Sequence, residues 1–204
     1  MIYKEALTNN IFNHICNCAD ELGIECYVIG GFVRDYIIDN STAKDIDIVV
    51  VGDGIEFAKH VSQKLKNTPK VTIFKTYGTA MFKYNDMEIE FVGARKESYS
   101  KESRNPKVSI GTLEDDQNRR DFTINSMAFS LNKMNYGALV DPFNGLVDIQ
   151  NKVIRTPLSP EITYNDDPLR MLRAIRFATK LNFKINEDSL KSIENLSSRI
   201  KIIT

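Results

Sequence analysis

Lys44-Asp45-Ile46-Asp47-Ile48-Val49-Val50-Val51 is the stretch that decides the fold. β-Branched residues dominate it, which suits a strand inside a sheet, and side chains two apart on a strand point to the same side. Asp45 and Asp47 therefore share a face. Two adjacent carboxylates call for a cation, and hard oxygen ligands at this spacing suit Mg²⁺, which keeps part of its water shell and is commonly shared with substrate phosphates. Just upstream, Tyr27-Val28-Ile29-Gly30-Gly31-Phe32-Val33-Arg34-Asp35 reads as a strand, a tight glycine turn and a helix whose first amides suit a phosphate. Singly, the two motifs also fit an ordinary glycine turn and an acidic strand edge. Together, at this separation, they favour nucleotide chemistry.

With 204 residues, 42% of them apolar, the chain is globular and can bury a substantial core. Its 27 basic and 27 acidic residues cancel, so no global positive field draws in nucleic acid and any RNA contact is local or made elsewhere. The start, Met1-Ile2-Tyr3-Lys4-Glu5, has no apolar signal core, and no run approaches the roughly 18 apolar residues of a membrane span. The default expectation is a cytoplasmic location. Cys16, Cys18 and Cys26 lack metal-ligand spacing and read as reduced structural thiols.

Helical periodicity runs from Leu7 to Leu22 with Gly23 as the stop, followed by a strand over Cys26 to Ile29. Past the acidic strand, Gly52-Asp53-Gly54 makes a turn, and Ile55, Phe57, Ala58, Val61 and Leu65 outline an amphipathic helix. Short strands are expected over Val71 to Phe74, Thr79 to Tyr84 and Met87 to Val92, with Asn85-Asp86 as a hairpin tip. This is a small mixed sheet covered by helices. From Arg95 to Asn118 the chain is polar and predicts a mobile loop, and Phe122 to Leu131 resumes a helical pattern. Asp141-Pro142-Phe143-Asn144-Gly145 is a turn-rich junction. Beyond Pro160 the pattern is helical throughout, which places a boundary near residue 155 between a mixed part, 1–155, and a helical part, 156–204.

Three further constellations carry polar groups. Glu90 lies between Ile89 and Phe91, where a third inward carboxylate would complete a metal site or accept a proton, although Glu88 shares its parity. Arg119-Arg120-Asp121 is expected to open the helix over Phe122 to Leu131; forked guanidinium donors there suit phosphate or ribose, with Asp121 capping the helix or pairing with an arginine. In Asp166-Asp167-Pro168-Leu169-Arg170, Asp167 fits an N-cap before proline. At about 100° per residue, Arg170, Arg173 and Arg176 form a stripe opposite Met171, Leu172, Ile175 and Ala178, so the apolar half is expected to pack and the arginines to face out. Asp167 accepts and Arg170 donates. That pair matches the amine and ring nitrogen on the Watson–Crick edges of cytosine and adenine and leaves groups unpaired against guanine or uracil.

In this order, the glycine turn with Asp45 and Asp47, Arg119 to Asn125, Asp141 to Gly145 and Asp166 to Arg170 resemble class II tRNA nucleotidyltransferases, the CCA-adding enzymes, and the related bacterial poly(A) polymerases. The resemblance runs from about Cys26 to Phe183. It implies an α+β fold: a small mixed-sheet nucleotidyltransferase head, with a polymerase-β-like palm flanked by helices, followed by an all-helical neck. It also implies that Asp45 and Asp47 hold the catalytic Mg²⁺ ions, two of them in the reaction. Gly31, Arg34 and Arg120 would contact the incoming CTP or ATP, Asp167 and Arg170 would read its base, and Arg173 and Arg176 would support it or hold phosphates. The implied partner is the tRNA 3′ end. Enzymes adding only A, only CC or poly(A) use the same head, and a non-catalytic nucleotide-binding module is the alternative outside the class. Departures are Asp166 where the family usually has Glu, Ser126 where Ala is common, and Gly93 in a segment that often reads Ala-Thr. Members also continue into longer helical regions that grip tRNA, so a head and part of a neck are expected here.

Overall fold

The computed structural model describes residues 1–75, 78–100 and 103–203. Asn9 caps α1 (Asn10–Leu22) by accepting a hydrogen bond from the Ile11 N–H, and Gly23, at φ 65°, closes it in the left-handed conformation expected of the stop. Then come β1 (Cys26–Ile29), α2 (Gly31–Asp39), β2 (Asp45–Val50) and α3 (Gly54–Lys64), the last capped by the Asp53 carboxylate. The expected strands follow as β3 (Thr72–Phe74), β4 (Thr79–Tyr84) and β5 (Met87–Gly93), with Asn85 at φ 55° in the hairpin tip. After them lie β6 (Arg95–Ser100), β7 (Ser103–Ile110), α4 (Leu113–Asn118), β8 (Ala128–Ser130) and β9 (Leu139–Val140). The chain ends through α5 (Gly145–Asn151), β10 (Val153–Ile154), α6 (Pro160–Asp166), α7 (Leu169–Leu181), β11 (Lys184–Ile185), α8 (Glu187–Leu196) and a 3-10 turn over Ser197–Ile202.

One mixed sheet has the order β3-β4-β5-β2-β1-β8-β9, with β2 and β5 parallel and the neighbouring pairs antiparallel. Alternation along each strand sends Val28, Ile46, Ile48, Ile89 and Phe91 to one face. There they pack with Ile11, Ile15, Phe32, Val33, Phe57 and Val61 of α1, α2 and α3 into the main core. Asp45 and Asp47 lie on the other face, in register with Glu88 and Glu90. One side of the sheet is thus apolar and covered; the other is acidic at Asp45, Asp47, Glu88 and Glu90 and carries a smaller buried cluster of Tyr27, Ile29, Val49, Ala94 and Ala128. Cys16, Cys18 and Cys26 are buried thiols, as expected. Among the described residues no helix is long and apolar enough to cross a membrane.

Four expectations are corrected. The polar run from Arg95 is not a loop: β6 and β7 form an antiparallel ladder and α4 carries a Thr112/Asp115 capping box. Its residues are polar because a two-stranded ribbon exposes much of its surface; Glu97 pairs with Arg119, and the Tyr99 hydroxyl accepts from Arg170. Phe122 to Leu131 is not a helix but a 3-10 turn at Thr123–Asn125 followed by β8. Its apolar residues divide among three clusters, Phe122 and Ile124 in one, Met127, Phe129 and Leu131 in another and Ala128 in a third, which one helical face cannot do. The segment after residue 156 is not all-helical, since β11 pairs in parallel with β10 across the expected boundary.

The fourth concerns α7, which buries Arg170, Met171, Ala174 and Phe177, while Leu172 and Ile175 are 42% and 51% exposed. The apolar half-turn drawn from sequence is therefore rotated. Arginine takes an inward position because its head is satisfied by carbonyl and hydroxyl oxygens there.

Candidate active site

β1 ends at Ile29, and Gly30, at φ 80°, turns the chain sharply into α2. A side chain at Gly30 would be strained by that backbone, and its Cβ would touch Arg120 Nη1 and Asp47 Oδ2, each at 3.4 Å. The glycine turn, the acidic strand and the arginine pair therefore meet at one point. Ile29 stands in register with Asp47, and Asp47 with Glu90 on the parallel neighbour. Glu88, the alternative of equal parity, stands beside Asp45 and is bonded to Lys83 at 2.8 Å. Asp47, Thr79, Glu90, Val92, Arg95, Arg119 and Arg120 line a cleft of about 290 Å³.

Electrostatics sharpen this picture. Loss of hydration pushes the Asp47 carboxyl above its ordinary 3.8; Arg120 opposes the shift, while Asp45 and Asp116 add to it. Loss of hydration and the Asp47 charge likewise raise Glu90. Crowded anions that resist ionisation mark a place where a cation would be welcome. Among the described residues no three of His, Cys, Asp and Glu form a metal-binding cluster. Asp45 and Asp47 fit an ion that takes its other ligands from water and phosphate, as Mg²⁺ does.

Arg119 and Arg120 do not open a helix; they follow the C-terminus of α4. Fully buried Asp116 holds both, bonding Arg119 at 2.5 and 2.8 Å and Arg120 at 3.0 and 3.1 Å. Burial alone would raise its carboxyl, but the two guanidiniums overcome that and hold it below the ordinary value. Glu97 of β6 accepts from Arg95, Arg119 and the Tyr99 hydroxyl. Asp116, Glu97 and Tyr99 were missed in the sequence. Asp116 stands three and four residues before its arginines, a helical spacing that was readable once 113–118 is a helix.

Arg34 is 5% exposed; it donates to Asp35 at 2.7 and 2.9 Å and to Asn125 Oδ1 at 2.7 Å. Asn125 donates at 3.0 Å to Asp121, which accepts at 2.7 Å from Arg173. Asp121 thus pairs with an arginine, one of its two expected roles. Arg170 donates to Arg119 O at 2.6 Å, Tyr99 Oη at 3.2 Å and Thr163 O at 3.4 Å. Asp167 Oδ1 accepts from the Leu169 N–H, so it makes a capping bond although α7 starts at Leu169, with Pro168 ahead of it. Asp47, Glu90 and Arg120 line the cleft, the Asp45 charge acts on Asp47, and Gly31 lies against the Arg34 guanidinium. Arg34, Arg173 and Arg176 gather around Phe177 a short way off, and the carbonyl of Arg119 joins Arg170 to the cleft's arginines.

A mixed sheet with a glycine turn, paired strand carboxylates and flanking arginines defines a nucleotidyltransferase-type head. Residues 26–155 match the family described as the poly A polymerase head domain, and the chain belongs to that family. It is 42% identical over 171 residues to the A-adding tRNA nucleotidyltransferase of Aquifex aeolicus, covering 84% of this chain and 20% of that protein. Identity to the CCA-adding enzyme of Enterococcus faecalis is 35% over 173 residues, 84% of this chain and 40% of that one. Among solved structures, a tRNA nucleotidyltransferase complexed with a primer tRNA and an incoming ATP analog superposes with TM-score 0.77 at 37% identity, over 91% of this chain and 50% of that one. The apo form II of a CCA-adding enzyme gives 0.85 at 34%, over 93% and 44%. The chain thus spans half or less of the length of these relatives.

Proposed function

We propose that this chain is the catalytic head of a template-independent nucleotidyltransferase that adds CMP, AMP or both from CTP and ATP to the 3′ end of tRNA. The observation that carries this is the register of Asp47 with Glu90, beside Arg120 and the Gly30 turn. A 3′-hydroxyl oxygen attacks the α-phosphorus, the bond to the bridging oxygen breaks, and pyrophosphate leaves. Asp45 and Asp47 would hold Mg²⁺, two ions in this proposal, which supplies charge stabilisation for the attacking and leaving oxygens when bound. Glu90 stands where the hydroxyl proton can be accepted, its raised affinity for a proton suiting that role. Arg120, held rigid by Asp116, faces the triphosphate with the amides after Gly30, and Gly31 and Arg34 border it. Asp167 and Arg170 read the base, and Arg173 and Arg176 support it or hold phosphates. For Arg170 this requires an exchange of its present oxygen partners for those of the base. Residues 1–155 serve as the head and 156–204 as the start of a neck.

A-only addition is the second reading, favoured by the A-adding relative above. The test supplies tRNA ending before CCA, and tRNA ending in CC, with labelled CTP and ATP separately and together, to the protein containing this chain. Expected is Mg²⁺-dependent incorporation with pyrophosphate release, reduced at least about a hundredfold by Asp45→Ala or Asp47→Ala without loss of fold. Addition of AMP to the CC end alone selects the second reading. Normal activity in either variant removes the metal assignment.

A further inference from the structure

Phe177 belongs to none of the motifs above, yet the guanidiniums of Arg34, Arg173 and Arg176 stand 5.1, 5.3 and 5.7 Å from its ring centre. Each distance lies within the reach of attraction between a cation and an aromatic face. The three arginines come from two helices far apart in sequence, Arg34 from α2 behind the glycine turn and the others from α7. The ring is 7% exposed and is fixed edge-on by Phe122 at 5.7 Å, so it is a rigid platform rather than a mobile side chain. Gathering three like charges is costly unless they are compensated. Asp35 neutralises Arg34 and Asp121 neutralises Arg173, with Asn125 bridging the two pairs. Among the described residues Arg176 has no carboxylate partner; it stands over the ring and is solvent-exposed. One positive charge is left over and directed by an aromatic face, an arrangement suited to an anion.

We infer that Phe177 is a positioning residue of the nucleotide site: its ring binds α2 to α7 through their arginines and holds Arg176 ready for a phosphate of the incoming triphosphate. This rests on the nucleotide site proposed above. It adds to that site a residue that touches no substrate and acts on recognition of the triphosphate rather than on the choice of base. Substitution should therefore weaken CTP and ATP alike.

The test measures CTP and ATP binding by calorimetry in Mg²⁺ without primer, so that no turnover intervenes, for wild type, Phe177→Met, Phe177→Tyr and Arg176→Gln. Methionine fills similar apolar volume without an aromatic face, and tyrosine keeps the face. Expected is about tenfold weaker binding of both nucleotides for F177M and R176Q, with F177Y within about twofold of wild type. Wild-type affinity in F177M and R176Q would overturn the inference while leaving the site intact. Equal losses in F177M and F177Y would reduce Phe177 to a space-filling role and overturn it too. Should F177M not fold, R176Q against F177Y decides by the same criterion. A wild-type protein that binds neither nucleotide would instead remove the proposed site itself, and the inference with it.

Discussion

Asp116 carries the greatest structural weight of any single side chain at the cleft. It is fully buried and holds two guanidiniums from below, so that Arg120 meets Asp47 from a fixed direction. Asp116→Asn removes the charge and leaves two half-buried cations undercompensated, an imbalance whose fully buried counterpart costs about 3–5 kcal/mol. Its pH dependence has a definite sign. Because the folded protein holds this carboxyl below its ordinary 3.8, its stabilisation is complete above that value and fades as pH falls through the lower folded value. Denaturant titrations should show D116N well below wild type at neutral pH, with the gap narrowing only under strongly acid conditions. A gap that is constant across pH would mean that the ion pairs contribute nothing. Asp47 was legible from sequence because alternation on a strand is a strict rule. Asp116 was hidden because its partners sit just past a helix that composition disguised as a loop.

At the scale of elements, the expectations that succeeded had local causes. Gly23 stops α1 and Asn85 turns the β4–β5 hairpin through their own left-handed backbones, and at the expected Gly52-Asp53-Gly54 turn the Asp53 carboxylate accepts from the Ile55 and Glu56 N–H groups of α3. Those that failed depended on partners distant in sequence. β6 and β7 hold together by their own ladder and by the pairing of Glu97 and Tyr99 with Arg119 and Arg170, which no local pattern announces. The Thr123–Asn125 turn is set by tertiary contact: Thr123 bonds Asp148 at 2.7 Å, and α5 begins so close that a Cβ on Gly145 would lie 2.6 Å from Thr123 O. Backbone cannot swing aside as a side chain can. Gly145→Ala should therefore cost about 1–3 kcal/mol by overpacking, read as a melting temperature lower by roughly 2–4 °C for each kcal/mol. An unchanged melting temperature would show that α5 shifts freely and does not fix the turn bearing Asn125.

Across the whole molecule, the acidic cleft of the sheet meets Arg119 and Arg120, which follow α4, and the third apolar cluster joins Phe122 and Ile154 to Ala174 and Phe177. That cluster and the β10–β11 ladder cross the boundary drawn near residue 155. The boundary does not separate folding units, because the apolar face of the later helices is closed by residues from the earlier part. Thermal unfolding should accordingly be one transition, with coincident far-ultraviolet and tyrosine signals; two separated transitions would contradict the shared core. The shared side of Asp45 and Asp47 was legible in eight residues of sequence, whereas the neighbours around them required the fold. The most direct test of the whole account is anomalous scattering from crystals soaked with Mn²⁺ and a non-hydrolysable CTP analogue. The account predicts a peak shared by the Asp45 and Asp47 carboxylates and the triphosphate, with Arg120 alongside. Density for the metal elsewhere, or a triphosphate bound away from both aspartates, would contradict it.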